Sequence, residues 1–440
     1  MGAGRRRLRL LAACTLVPAV LTAAAGCSGS GADDSSAPTT AQIRAALVQH
    51  ATAVRDHDRA TFLAGIDGSP AAAGFRRSQA AAFANLGRLP LRRWTYTLAA
   101  PVHAPDAQAR ARARFGSSAR IVKVTLHVAI TGVDAVPAAH SLWWTVARVD
   151  GHVVICADNG LARQGGVSWR GPWDFGAVTV VHGTHSLVLG PPAQAGDLRR
   201  IADTVDQAVP AVTRVWGTHW ARDVLVVVPN SPAADLAALG DDTATGDTGA
   251  GAGQAADGAD DAAVTVTDGQ DALTGQPLNP RIVVEQRAFD GLSAVGRRIV
   301  FTHEVTHVAS AAATGGASPR WVVEGFAEYV ANLHTGLAVR TVAAELVASV
   351  RRHGLPTALP GDDSFDTAGT AASAYEQAWL ACRLIASKVG ASGLVRFYTE
   401  VGRSGLSERS ALSGALRSVL HESAARFTAQ WRAYLGTEVG

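Results

Sequence analysis

The sequence predicts an α+β protein in two parts, and three observations predict it. An amphipathic helical pattern over 41–86 is followed by long alternating strands up to residue 156. From about residue 177 the strands become shorter and wholly apolar, with a helix between them. Beyond residue 285 the pattern is mainly helical. The 440 residues are 48% hydrophobic and 18% charged, and the 45 glycines follow no period. Collagen, coiled coil and wholesale disorder are thereby excluded.

In the first part a helix is expected from about Thr40, because Ile43, Leu47, Ala51 and Val54 recur at helical spacing with Arg44, Arg55 and Asp58 on the other side. A second helix is expected over 71–86. Trp94, Tyr96 and Leu98 alternate with polar residues, as do Val122, Val124, Leu126, Val128 and Ile130, and then Leu142, Trp144 and Val146. Each run reads as a strand with one apolar face. Asp150-Gly151 predicts a tight hairpin into His152–Cys156. Helices followed by such strands predict a curved antiparallel sheet packed on helices, over 41–176. This order of elements resembles the nuclear-transport-factor-2-like cone fold. Trp169, Trp173 and Phe175 read as a domain seam.

The second part is expected to span 177–440. Val178–Val181, Ser186–Leu189, Val224–Val228, Ala262–Val266 and Arg281–Val284 read as strands, and Leu198–Val215 as a helix with Ile201, Val205, Val209 and Val212 on one face. Residues 231–262 are nearly all Ala, Gly, Asp and Thr and read as a solvated insertion. Their aspartates are too irregularly spaced for a calcium loop.

Charge is distributed unevenly. Arg5, Arg6, Arg7 and Arg9 precede an uncharged run from Leu10 to Ala25. A basic head followed by a short, alanine-rich apolar stretch is the layout of an export signal, and 16 residues including Pro18 are few for a membrane span. The run ends at Ala24-Ala25-Gly26-Cys27, which resembles a bacterial lipobox, with Ala24 where the usual pattern has Leu. The resemblance implies cleavage after residue 26, lipidation of Cys27, and a flexible tether over 27–40 that holds the protein to the outer face of the cytoplasmic membrane. Without residues 1–26 the chain carries 36 basic and 37 acidic side chains, so the formal charge of +3 becomes −1. No basic stripe interleaved with aromatics is present, so nucleic acid is not an expected partner. Cys156 and Cys382 fall in different parts and read as two buried thiols rather than a disulfide. The sequence sets no oligomeric state.

All ten glutamates lie at or after Glu285, so any chemistry that needs one belongs to the last third. That third contains His303-Glu304-Val305-Thr306-His307, inside a helix expected over Val295–Ala312 with Ser293 as its N-cap. Residues i and i+4 share a helix face, so both imidazoles reach one metal ion. Glu304, about 100° around the helix, stands beside the metal and can take a proton from a water the metal activates. A string of this kind is expected by chance about 0.01 times in a chain of this composition.

The following segment reads Pro319-Arg320-Trp321-Val322-Val323-Glu324-Gly325-Phe326-Ala327-Glu328-Tyr329. Together the two strings resemble the gluzincin zinc peptidases, the thermolysin-like and aminopeptidase-N-like group, whose second helix carries Trp-x-x-Glu-Gly-x-Ala-x-Tyr. The resemblance covers roughly 177–400. It implies a metallopeptidase domain with a mixed sheet, a zinc-binding helix pair and C-terminal helices. It further implies zinc held by His303, His307 and Glu324, with Glu304 as general base and Glu328 behind a zinc-bound histidine. A tyrosine some fifty residues past the third ligand serves the aminopeptidase-like branch as oxyanion donor. Tyr375, expected to open a helix running to Ala386, answers to it here, a core tyrosine being the other reading. Tyr329, His334 and Arg320 are lesser candidates. The strand before the zinc helix, Arg281–Val284, is expected to be the edge that pairs with the peptide substrate. The Gly-x-Met-Glu-Asn string that holds a free amine in the aminopeptidases is absent, which favours an endopeptidase. The rival expectation is a retired peptidase fold acting as a cell-surface binding or scaffold module. Retention of His303, Glu304, His307 and Glu324 favours the enzyme.

Overall fold

The computed structural model describes residues 36–231, 234, 262–271, 273–367, 369–403 and 407–440. The residues expected to form an export signal, Cys27, residues 27–35 of the expected tether and nearly all of the insertion over 231–262 lie outside the described residues. The described residues belong to one compact unit.

Helix α1 (Thr40–Arg55) begins at a capping box, in which Thr39 and Gln42 satisfy each other's backbone. Helices α2 (Arg59–Ala64) and α3 (Ala73–Leu86) follow. Strand β1 (Leu91–Pro101), helix α4 (Pro105–Phe115) and strands β2 (Arg120–Ile130), β3 (Ala138–Val149) and β4 (His152–Ala157) complete an antiparallel sheet in chain order. Asp150 (φ 49°) and Gly151 (φ 78°) both adopt the left-handed conformation that a two-residue hairpin demands. The period-2 alternation turns Trp94, Val124, Leu126 and Trp144 onto Ile43, Leu47, Phe62 and Phe83. The opposite face packs Ile121, Ala147, Val154 and Cys156 against Ala107 and Ala111 of α4. That helix is not apparent in the sequence, because an Arg-Ala repeat leaves only small apolar residues on its buried face.

The second sheet contains β5 (Thr179–His182), β6 (Ser186–Gly190), β7 (Val224–Val227), β8 (Ala263–Val266) and β9 (Arg281–Val284), in the order β5-β6-β7-β9-β8. β6, β7 and β9 are parallel, and the two edges, β5 and β8, are antiparallel. The expectation that Arg281–Val284 is the edge strand is therefore corrected. The chain passes from β7 to the rim as β8 and returns to fill the gap as β9. One face of this sheet meets α5 (Ala195–Trp216) through Ile201, Val205, Val209 and Val212. The other face, with Leu187, Leu225, Val227 and Val283, belongs to the cluster that fills the first sheet. One core cluster thus crosses the seam at 176/177 and joins the two sheets, with Trp173 buried in it, while a second cluster lies wholly beyond the seam.

Helices α6 (Gln286–Gly291), α7 (Ala294–Ser310), α8 (Arg320–Asn332), α9 (Val339–Val342), α10 (Ala344–His353), α11 (Ala371–Arg403), α12 (Glu408–Ala415) and α13 (Ala424–Glu438) follow. The protein is thus α+β, with an antiparallel sheet, a mixed sheet and C-terminal helices. Helix α11 is broken at Gly390 (φ 73°). By length and composition it could cross a membrane, but Leu380, Cys382, Ile385, Phe397 and Tyr398 are buried, as in a core helix. Cys156 and Cys382 are both buried free thiols.

Candidate metal centre

Two helices build the site. Ser293 caps α7 by accepting from the Gly296 N–H at 3.1 Å. Phe301 and Val305 anchor the helix in the core, which aims His303 and His307 at α8. The hydroxyls of Thr302 and Thr306 donate back to the carbonyls of Arg298 and Thr302, both at 2.7 Å, so they bury without an unpaired donor. In α8, Trp321, Val322 and Phe326 face the core, leaving Glu324 and Glu328 toward α7. Gly325 lies under α11. A Cβ there would stand 2.4 Å from the Ala378 carbonyl oxygen, so only glycine lets α11 approach this closely. That approach brings Tyr375 to the site.

Three donor atoms converge. His303 Nε2 and His307 Nε2 are 2.9 Å apart, and each lies 3.3 Å from Glu324 Oε2. A tetrahedral ion with bonds of about 2.0–2.1 Å holds its ligand atoms about 3.3 Å apart. His303 Nδ1 lies 3.0 Å from Glu328 Oε1, and Asn332 Nδ2 donates to Glu328 Oε2 at 2.8 Å. A ring that donates from Nδ1 turns a lone pair outward at Nε2. Two nitrogens, at least one with its lone pair turned in, and a carboxylate oxygen, all aimed at one point, are a donor set for a borderline cation, and zinc fits it.

The electrostatics agree. Burial pushes the Glu324 carboxyl up, but His307 and His303 outweigh it and hold the group below the usual carboxylate range. Burial pushes His303 down, but the hydrogen bonds to Glu324 and Glu328 raise it well above an ordinary imidazole. Without a metal these directions keep a proton on His303, and a metal binding at Nε2 takes that proton's place. Glu304 is 7% exposed, and burial raises its pKa against the pull of both histidines and of Thr265. Thr265 Oγ1 donates to Glu304 Oε2 at 2.6 Å.

Tyr375 sits in the second turn region of α11 rather than at a helix start, because the helix begins earlier, at Ala371. Its ring centroid is 6.3 Å from that of His303 and 5.1 Å, edge-on, from Phe365. Arg320 hydrogen-bonds the Tyr375 side chain. The guanidinium is held by Asp366 at 2.5 Å and lies over the Phe365 ring, with Nε 3.9 Å from Glu324 Oε1. Of the other candidates, Tyr329 turns into the core and His334 is exposed beyond the end of α8. Thr265 and Asp366 carry no signal in the sequence, whereas the missed Asn332 does, standing four residues after Glu328 on one helix face.

Comparison of the sequence with known protein families and with curated proteins finds no match.

Proposed function

We propose that this chain is an extracytoplasmic zinc metallopeptidase of the gluzincin type, lipid-anchored through Cys27 to the outer face of a bacterial cytoplasmic membrane, and that it cleaves within peptide or protein chains. One observation carries the reading: His303 Nε2, His307 Nε2 and Glu324 Oε2 lie within 4.8 Å of one another, with the buried Glu304 carboxylate adjacent on the same helix.

Zinc held by these residues would supply Lewis acidity, lowering the pKa of a water and polarising the scissile carbonyl. Glu304 then accepts the water's proton and returns it to the leaving amine. Tyr375, with the Arg320 cation on its side chain, is the donor for the developing oxyanion. Glu328 holds His303 in the tautomer that binds metal, and Asn332 holds Glu328. An extended substrate could add to β8, which among the described residues is the rim of the sheet and whose Thr265 touches the general base. The missing Gly-x-Met-Glu-Asn string argues against a site for a free amine and supports endopeptidase action. The anchor rests on the Ala24-Ala25-Gly26-Cys27 string.

The test is a cleavage profile of a whole proteome with purified mature protein and with its Glu304→Gln variant, zinc being measured in both. Cuts made by the wild type alone, at equal zinc content, are expected. A protein that refuses zinc ends the reading, and equal cleavage by both removes Glu304 from its role.

A further inference from the structure

We propose that Thr265 is the positioning residue for the general base: from the edge strand β8 its hydroxyl grips one oxygen of the Glu304 carboxylate and leaves the other for the reacting water. The proposal rests on the metallopeptidase reading. Thr265 Oγ1 donates to Oε2 at 2.6 Å and lies 3.2 Å from the Glu304 carbonyl oxygen, so its single proton goes to the nearer carboxylate. Among the described residues it is the side chain that hydrogen-bonds this carboxylate.

The strand supplies the direction. Successive residues of β8 point to opposite faces. Val264 and Val266 enter the cluster under the first sheet, whereas Ala263 packs on the α7 side, and Thr265 shares its face. A β-branched side chain has few χ1 choices, so a threonine fixed in a strand presents its hydroxyl along a nearly constant vector. A lone glutamate on a helix has three free torsions, and a carboxylate that swings by one rotamer loses its line to the water. Because Thr265 stands on the strand that is the rim of the sheet among the described residues, the strand that would receive the substrate also aims the base.

Thr265→Val removes the hydroxyl at nearly constant shape, and Thr265→Ser returns it. The valine variant is expected to keep about one zinc per chain and to lose about 10- to 100-fold in kcat, with KM changed less than about 3-fold. Serine is expected to recover most of that loss. A second readout needs no activity. In zinc-depleted protein, Thr265→Val should shift one carboxylate band in the infrared, and the same substitution made in Glu304→Gln should shift none. An unchanged kcat, a loss that serine does not recover, or a band shift that survives in Glu304→Gln overturns the proposal. If wild type and Glu304→Gln hydrolyse alike, Glu304 is not the general base and the catalytic role of Thr265 falls with it. The infrared pair then still reports whether Thr265 grips Glu304.

Discussion

His50 and His303 are both nearly inaccessible, at 4% and 9% exposure, and their surroundings drive them in opposite directions. His50, on α1, stacks on Phe62 with centroids 4.3 Å apart and meets Trp144 edge-on. Among the described residues its Nδ1 has no partner, and burial alone pushes its pKa down to about 3. It is a neutral core residue. His303, on α7, is just as deep, but Glu324 faces its Nε2 and Glu328 its Nδ1. Burial lowers its pKa as well, yet the carboxylates reverse the sign. Depth therefore does not separate packing from chemistry, whereas the partners on each ring nitrogen do.

Stripping the carboxylate from behind His303 makes it resemble His50, and gives the largest effect among these tests. Glu328→Ala should weaken zinc binding by about 10- to 100-fold, read by competition with a chelating dye. Unchanged affinity would mean that the pair does not tune the site.

His50 can be examined through acid stability. The folded protein keeps this ring neutral down to about pH 3, whereas an unfolded chain protonates it near 6.5. Its contribution is fully present above about pH 6.5 and is lost as the pH falls from there toward 3, by about 1.4 kcal/mol per unit. At pH 5 wild type should thus have lost about 2 kcal/mol that a His50→Leu variant retains, measured by urea unfolding at both pH values. Parallel pH profiles for the two proteins would show that His50 does protonate in place.

The smallest effect is expected one shell further out. Asn332→Ala removes the amide that donates to Glu328 but leaves the carboxylate on His303. A loss of only a few-fold in zinc affinity is expected in the same dye assay, of the size of one part-buried hydrogen bond. A loss as large as that of Glu328→Ala would make Asn332 the true anchor of His303.

The contrast also explains what could be read in advance. His303, His307, Glu324 and Glu328 are pairs at i,i+4 on two helices, and helix geometry converts such spacing directly into shared faces. The strands of the first sheet were legible for the same reason, through their period of two. Three features were not. Thr265 lies 39 residues before Glu304, and nothing in Ala263-Val264-Thr265-Val266 distinguishes that hydroxyl from any other in a strand. The edge position of β8 follows from β9 inserting beside β7, a non-local pairing to which local pattern is blind. The contact of Tyr375 with the site depends on Gly325 admitting α11, and a glycine inside a helix carries no label for what passes over it.

In the proposed site two imidazoles and one carboxylate hold zinc while a neighbouring carboxylate moves a proton. The most direct measurement is zinc content beside peptide hydrolysis for purified wild type and Glu304→Gln. About one zinc per chain is expected in both proteins, with hydrolysis reduced by about 10²–10⁴-fold in the variant. Failure of the wild type to take up zinc, or equal hydrolysis by the two proteins, would contradict this assignment.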